Sequence, residues 1–193
     1  MSAPSFRPLR TLPPHLELLY PRSAINARLE TLAEEIDAWA AESLLFTQQS
    51  LLAVCVLRGG VFFFSDLLQH MRQSVEPGFC RASSYSPAKN DSPENTLQLD
   101  WHGLKATGRD VLLVDNICDS GRTLATCQQT LVAGGAHSVR TVVCVHRHRD
   151  DSTHTPTLAG FAYEGTEWLA GYGLRDRQNC MNHPEIYRVR AAA

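Results

Sequence analysis

LLVDNICDSGRTLA, Leu112 to Ala125, begins as an apolar run, stops at an acid and an amide, and passes through a second acid, a hydroxyl residue and a glycine. The continuous apolar residues Val111–Val114 predict a strand buried on both faces, as in a parallel sheet. The pattern from Arg122 to about Val132 predicts a helix closed by Gly134 and Gly135. Asp115, Asn116 and Asp119 then fall on the connecting turn. The backbone N–H groups of Ser120, Gly121, Arg122 and Thr123 would open a helix, unpaired and at the positive end of its dipole. A phosphate suits that position. Gly121 lets a ligand approach the backbone, and the Ser120 and Thr123 hydroxyls add donors. A plain turn capped by Asp or Ser explains the glycine and the hydroxyls, but not three polar side chains after so apolar a strand.

Outward from this stretch the pattern repeats. LLAVCVL, Leu51–Leu57, predicts a second doubly buried strand; Arg58, Gly59 and Gly60 follow it, then a helix over roughly Val61–Met71. Another helix opens at Ser23, a plausible N-cap, with Ile25, Leu29, Leu32 and Ile36 on one face. Thr141–Val145 reads as a strand, followed by the polar stretch HRHRDDSTHTP and a short apolar segment around Leu158–Phe161. The first twenty residues hold four prolines and read as an irregular arm. Ser84–Thr96, rich in Pro, Ser and Asn without periodicity, reads as a mobile loop. Alternating strands and helices with short links predict an α/β fold with a mostly parallel sheet. Ligands bind beyond the carboxyl ends of such strands, where both glycine-bearing turns lie.

Composition narrows the class. A chain of 193 residues, 44% hydrophobic, suits one domain with a sizeable core. The formal net charge of -2 gives no electrostatic reason for a nucleic-acid partner. The longest apolar runs, Leu51–Leu57 and Val111–Val114, fall far short of the roughly 20 residues of a spanning helix, and the proline-rich start is no signal peptide. A cytoplasmic protein without membrane contact is expected. The six cysteines form no C-x-x-C pair, and Cys55 and Cys144 sit in apolar runs, so reduced core thiols are expected. His146 and His148 have no evident third metal ligand. No Walker A motif occurs, and GYGLRD, residues 171–176, lacks the third glycine of a dinucleotide fingerprint.

V-D-N-I-C-D-S-G-R-T-L closely resembles the phosphoribosyl-pyrophosphate (PRPP) signature of type I phosphoribosyltransferases. Within them the chain looks most like the hypoxanthine-guanine phosphoribosyltransferases. VCVLRGGVFFFSDLL (Val54–Leu68) is similar to that family's first loop and helix, Ser84-Tyr85 to the start of its mobile catalytic loop, and WLAGYGL (Trp168–Leu174) to its base-stacking segment. The helix around Ile25 and Arg28 also corresponds. The resemblance covers roughly residues 20–190 and implies a single domain, with a small hood built from terminal segments and a hood or base-binding segment at about 160–190. It implies that Asp115 and Asn116 hold the ribose hydroxyls, that Asp119 manages the purine N7 proton, and that Ser120, Gly121, Arg122 and Thr123 cradle the 5-phosphate. Arg58 and Gly59 would bind pyrophosphate, in this family through a non-proline cis peptide. Trp168 would stack on the base, with Leu169, His146 and Ile117 beside it. Mg²⁺, a hard cation, would bridge pyrophosphate and ribose oxygens near Asp115 and Asp176. The implied reaction is attack of purine N9 on C1 of PRPP with loss of pyrophosphate, by a homodimer or homotetramer.

Four positions depart from the family pattern. Asn116 stands for the signature's second acid, keeping hydrogen-bonding capacity but losing a charge. His146, with Arg147 next to it, aligns with the lysine that bonds the purine 6-oxo group. Arg175 takes the place of an Asp of the metal site, with Asp176 displaced by one, and Met181 that of an arginine acting on pyrophosphate. The PRPP site is therefore better specified than the base, and a PRPP-binding regulator or a transferase for another base shares the same residues.

Overall fold

The computed structural model describes residues 12–85, 96–175 and 181–190. Its main sheet has six strands: β2 (Leu51–Leu57), β3 (Val75–Tyr85), β4 (Thr96–Asp100), β5 (Asp110–Cys118), β6 (Ser138–Arg147) and β7 (Leu158–Tyr163). Their order is β4-β3-β2-β5-β6-β7, and every neighbouring pair is parallel except the β3–β4 hairpin. Helices α1 (Arg22–Thr47) and α2 (Val61–His70) pack on one face, where Ile25, Leu29, Leu32, Phe63 and Leu67 meet Leu112 and Val114. Helix α3 (Arg122–Ala133) covers the other, where Leu124, Cys127 and Leu131 meet Val111, Leu113 and Val143. With helices on both faces, the central strands have no polar side to show, which explains the unbroken hydrophobicity of LLAVCVL and VLLV.

The chain reverses its direction of travel across the sheet between β2 and β5. Connections from β2 run toward β3 and β4, while those from β5 run toward β6 and β7. The loops after β2 and β5 therefore splay apart at their carboxyl ends and leave a crevice between them.

A second sheet of three antiparallel strands, in the order β1-β9-β8, is not hydrogen-bonded into the first but packs on its core through Leu169 and Ile186: β1 (Leu16–Tyr20), β8 (Leu169–Ala170) and β9 (Ile186–Val189). This is the small hood, built from both ends of the sequence.

Several boundaries differ from the sequence reading. The arm expected over residues 1–20 contains strand β1, because Leu16–Tyr20 pairs with β9 some 170 residues away, a partner no local pattern reveals. Residues 1–11 lie outside the described residues. Of the segment expected at 160–190, the chain as far as Tyr163 belongs to β7 of the main sheet, while β8 and β9 join the N-terminal β1 in a hood of terminal segments, as expected. Helix α1 starts one residue before Ser23, with Pro21 at the cap and no side-chain cap bond; the fixed proline geometry opens the helix instead. The loop expected at 84–96 is narrower, since Tyr85 pairs with Thr96 at the end of β3 and β4, and 86–95 lie outside the described residues. Strand β5 runs to Cys118, so Asp115 and Asn116 stand within the strand and not on the turn. Strand β6 likewise extends to Arg147 and carries His146.

Cys55, Cys80, Cys118, Cys127 and Cys144 are buried free thiols, and Cys180 lies outside the described residues. Among the described residues no helix is long and apolar enough to cross a membrane.

Candidate active site

Strand alternation sends Asp115 and Asn116 to opposite faces of β5. Asp115 follows Val111 and Leu113 toward α3, whereas Asn116 lies on the α2 side against the loop after β2. A Cβ added at Gly59 would come within 2.5 Å of Asn116 Nδ2, so only glycine lets that loop close over the amide. Both residues line a cavity of about 330 Å³ with Val56, Leu57, Gly59, Ala82, Leu97 and Thr123. Leu97 pairs with Ser84, which brings the backbone at the end of the β3–β4 hairpin to this cavity. The peptide bond Leu57–Arg58 is cis, and Arg58 is exposed beside the cavity.

Asp115 keeps part of its surface at the cavity, yet desolvation pushes its carboxyl up to about 7, against an ordinary 3.8. The Asn116 amide donates to Asp115 Oδ1 at 2.7 Å and offsets only part of that cost. Among the described residues no cation faces this carboxyl.

The turn after β5 leaves a row of backbone amides open. Gly121 adopts φ 76, a left-handed conformation, and α3 begins at the next residue without any side-chain cap. The amides of Ser120, Gly121, Arg122 and Thr123 make no backbone hydrogen bond among the described residues, while the Ala125 amide already bonds Gly121 O at 2.9 Å. From outside the turn is held by the segment after β6. Thr153 donates to Ser120 O through its amide (2.9 Å) and its hydroxyl (3.0 Å). The thiol of Cys118 donates to His154 O at 3.5 Å, and His154 Nε2 bonds the Thr141 hydroxyl at 3.0 Å. A side chain at Gly121 would meet His154 at 2.7 Å. The turn's carbonyl side is thus occupied and its N–H side is open, which is the polarity a phosphate requires.

Asp119 sits one residue before this turn, with its carboxylate between two arginines. Arg149 Nη1 donates to Oδ1 at 3.2 Å, and Arg147 Nε lies 3.6 Å from the same oxygen. Arg147 is buried, its outer nitrogens spent on the carbonyls of Gly165 (3.2 Å) and Glu167 (2.9 Å). That second bond ties the chain just before Trp168 to the neighbourhood of Asp119. Trp168 is 63% exposed, and its Nε1–H donates to Arg175 O at 2.6 Å, which fixes the indole with a broad face in solvent. Leu169 is buried in β8, whose outer edge has no partner strand, so its backbone there is open to a ligand. Ile117 is partly buried against the α1–α2 core and pairs with Val145. His146 pairs with Cys118 and has its ring 4.6 Å from that of His148. Burial, and then the neighbouring His148, lower its pKa, so the ring is neutral around pH 7.

Most of the expected residues therefore gather at the carboxyl ends of β2, β5 and β6. The side chains of Ser84 and Tyr85, and all of Asp176, lie outside the described residues. Arg149, Thr153 and His154 were missed because HRHRDDSTHTP reads locally as a solvated loop. The available signal was topological: it leaves the carboxyl end of β6, beside β5.

Residues 23–161 match the family model described as the phosphoribosyl transferase domain. The chain is 32% identical over 158 residues to the hypoxanthine-guanine phosphoribosyltransferase of Mycobacterium tuberculosis, covering 78% of this chain and 74% of that one. It is 27% identical over 175 residues to the hypoxanthine phosphoribosyltransferase of Escherichia coli, covering 90% and 95%. In fold it is similar to the hypoxanthine phosphoribosyltransferase structure from Staphylococcus aureus, with a TM-score of 0.78, 23% identity and coverage of 91% and 92%.

Proposed function

Because the chain belongs to the phosphoribosyl transferase domain family and is a type I enzyme of its hypoxanthine-guanine group, we propose that it joins a 6-oxopurine to the 5-phosphoribosyl group of PRPP through the residues just described. The observation that carries this reading is the open row of amides at Ser120–Thr123, which begins five residues past the desolvated carboxyl of Asp115. The first holds a terminal phosphate, and the second faces the ribose diol with the Asn116 amide.

In the reaction N9 of the purine donates its electron pair to C1 of PRPP. The bond from C1 to the pyrophosphate oxygen breaks, and that pair leaves with pyrophosphate. The N7 proton passes to Asp119, whose carboxylate stands at the end of β5 beside the Trp168 segment. Positive charge accumulates on the ribose in the transition state, next to Asp115. Arg58 and the Gly59 backbone receive the pyrophosphate. The site suits Mg²⁺ in one respect: a desolvated carboxylate without a protein cation, beside a cavity for a polyphosphate, matches a metal held by one carboxylate plus substrate oxygens. Bound there, Mg²⁺ would neutralise charge on the leaving pyrophosphate. Asp115 is the residue that would hold it.

The direct test is pyrophosphate release from PRPP and Mg²⁺ with hypoxanthine, guanine, xanthine and adenine supplied separately. Turnover with a 6-oxopurine is expected. Turnover with adenine alone would overturn the base assignment while leaving the PRPP site standing.

The base selectivity has its own expected result. Trp168 offers a stacking face to any base, so discrimination falls to the donor for the 6-oxo group. Neutral His146 gives one hydrogen bond without charge assistance, a deficit on the order of 1 kcal/mol relative to a lysine. His146→Lys is expected to raise kcat/KM for hypoxanthine roughly tenfold. Unchanged kcat/KM for every purine would remove His146 from the base contact.

A further inference from the structure

The two arginines around Asp119 do different things. Arg147 is held in place: it is buried, donates to two backbone carbonyls, lies over the Tyr163 ring, and leaves its Nε without a hydrogen-bond partner among the described residues, 3.6 Å from Asp119 Oδ1. Arg149 is exposed and has no packing to fix it. What fixes it is Asp151, which takes its Nε at 2.7 Å and its Nη2 at 3.0 Å in a two-pronged pair. That fork uses one edge of the planar guanidinium and leaves Nη1 directed at Asp119 Oδ1. The segment carrying Arg149 and Asp151 is itself pinned to the phosphate turn by Thr153 and His154.

Both arginines therefore engage the same carboxylate oxygen. Oδ2 has no partner among the described residues. We propose that Arg149, oriented by Asp151, is a positioning residue that holds Asp119 by Oδ1 so that Oδ2 faces the purine N7–H. This rests on the reading of Asp119 as the group that takes the N7 proton. An isolated exposed ion pair contributes little to stability, so the effect lies in orientation. A carboxylate free to rotate about its last bond presents the accepting oxygen for only part of the time, and misplacement of a reacting group is costly even with the fold intact.

The experiment is steady-state kinetics with PRPP, Mg²⁺ and hypoxanthine on the full chain, comparing the parent, Arg149→Gln, Arg149→Lys, Asp119→Asn and the Arg149→Gln/Asp119→Asn double variant. Arg149→Gln is expected to lower kcat about tenfold with KM for PRPP within about twofold of the parent. Arg149→Lys should recover part of the loss, and in the Asp119→Asn background Arg149→Gln should cost less than about twofold. Asp151→Asn, which leaves Arg149 in place, should lower kcat about threefold and serves equally well should Arg149→Gln fail to fold. Parental kcat in Arg149→Gln, or an equal loss in both backgrounds, overturns the proposal while Asp119 keeps its role. Parental kcat in Asp119→Asn instead removes the reading beneath it.

Discussion

Asp119→Asn is expected to lower turnover by roughly 10² to 10⁴, with the melting temperature and the KM for PRPP close to those of the parent. The amide keeps the size of the carboxylate and one oxygen toward Arg149, so the local fold is retained. It cannot accept the N7 proton that must leave as N9 bonds to C1. The side chain is partly exposed and among the described residues engages the two arginines alone, which makes a large stability change unexpected. Single-turnover measurement of nucleotide formation, alongside a thermal scan, separates the chemical defect from misfolding. Turnover near the parental value would remove Asp119 from the proton transfer.

Asp115→Asn is expected to act in two opposite directions. The carboxyl is desolvated and raised to about 7 in the folded chain, against an ordinary 3.8 in the unfolded one. Between about pH 4 and pH 7 the folded state keeps a proton that the unfolded state has lost. Folding therefore weakens as pH rises through that window, the reverse of the usual carboxylate case. Three units correspond to about 4 kcal/mol at most, and partial exposure at the cavity reduces this to on the order of 1–3 kcal/mol. The asparagine variant should thus be more stable than the parent at pH 8, by a few degrees in melting temperature, and equal to it below about pH 4. Ligand response should go the other way. A PRPP–Mg²⁺ excess of about 100 over Kd stabilises the parent by about 2.7 kcal/mol; a Kd raised on the order of 10² leaves the variant only about 0.4 kcal/mol. Thermal scans at two pH values with and without PRPP and Mg²⁺ check both. A variant as responsive to PRPP as the parent would place the diol-binding carboxylate elsewhere.

How far the sequence foretold these features depended on the distance over which each signal acts. The strand at 51–57 and helix α3 are local patterns, and their limits were placed to within a residue or so. The position of the turn at Ser120–Thr123 was equally legible, because a glycine set between small hydroxyl residues at a strand end has a local reason to be there. Strand β5 was placed four residues short: Asp115 and Asn116 look like a turn by composition, but pairing with β6 at Asp115, Ile117 and Cys118 keeps this end of the strand extended. Strand β1 was invisible, since LELLY is stabilised only by pairing with IYRV at the far end of the chain. The arginine pair on Asp119 escaped for a related reason. Its residues are 28 and 30 positions along from the acid, in a stretch whose composition says only that it is wet.

The hood sets an order of events during synthesis. The turn at Ser120–Thr123, the Gly59 loop and the β6 end all come from residues before about 150, and the strands that carry them, β2, β5 and β6, are neighbours in one sheet. The stacking wall is different: β8 pairs only with β9, and β9 with β1, so Leu16 must find Val189. Closing so long a loop is entropically slow and cannot begin until Ile186–Val189 have left the ribosome. A nascent chain stalled before that point would therefore display the turn at Ser120–Thr123 and the Gly59 loop while Trp168 and Leu169 still lacked the sheet that fixes them.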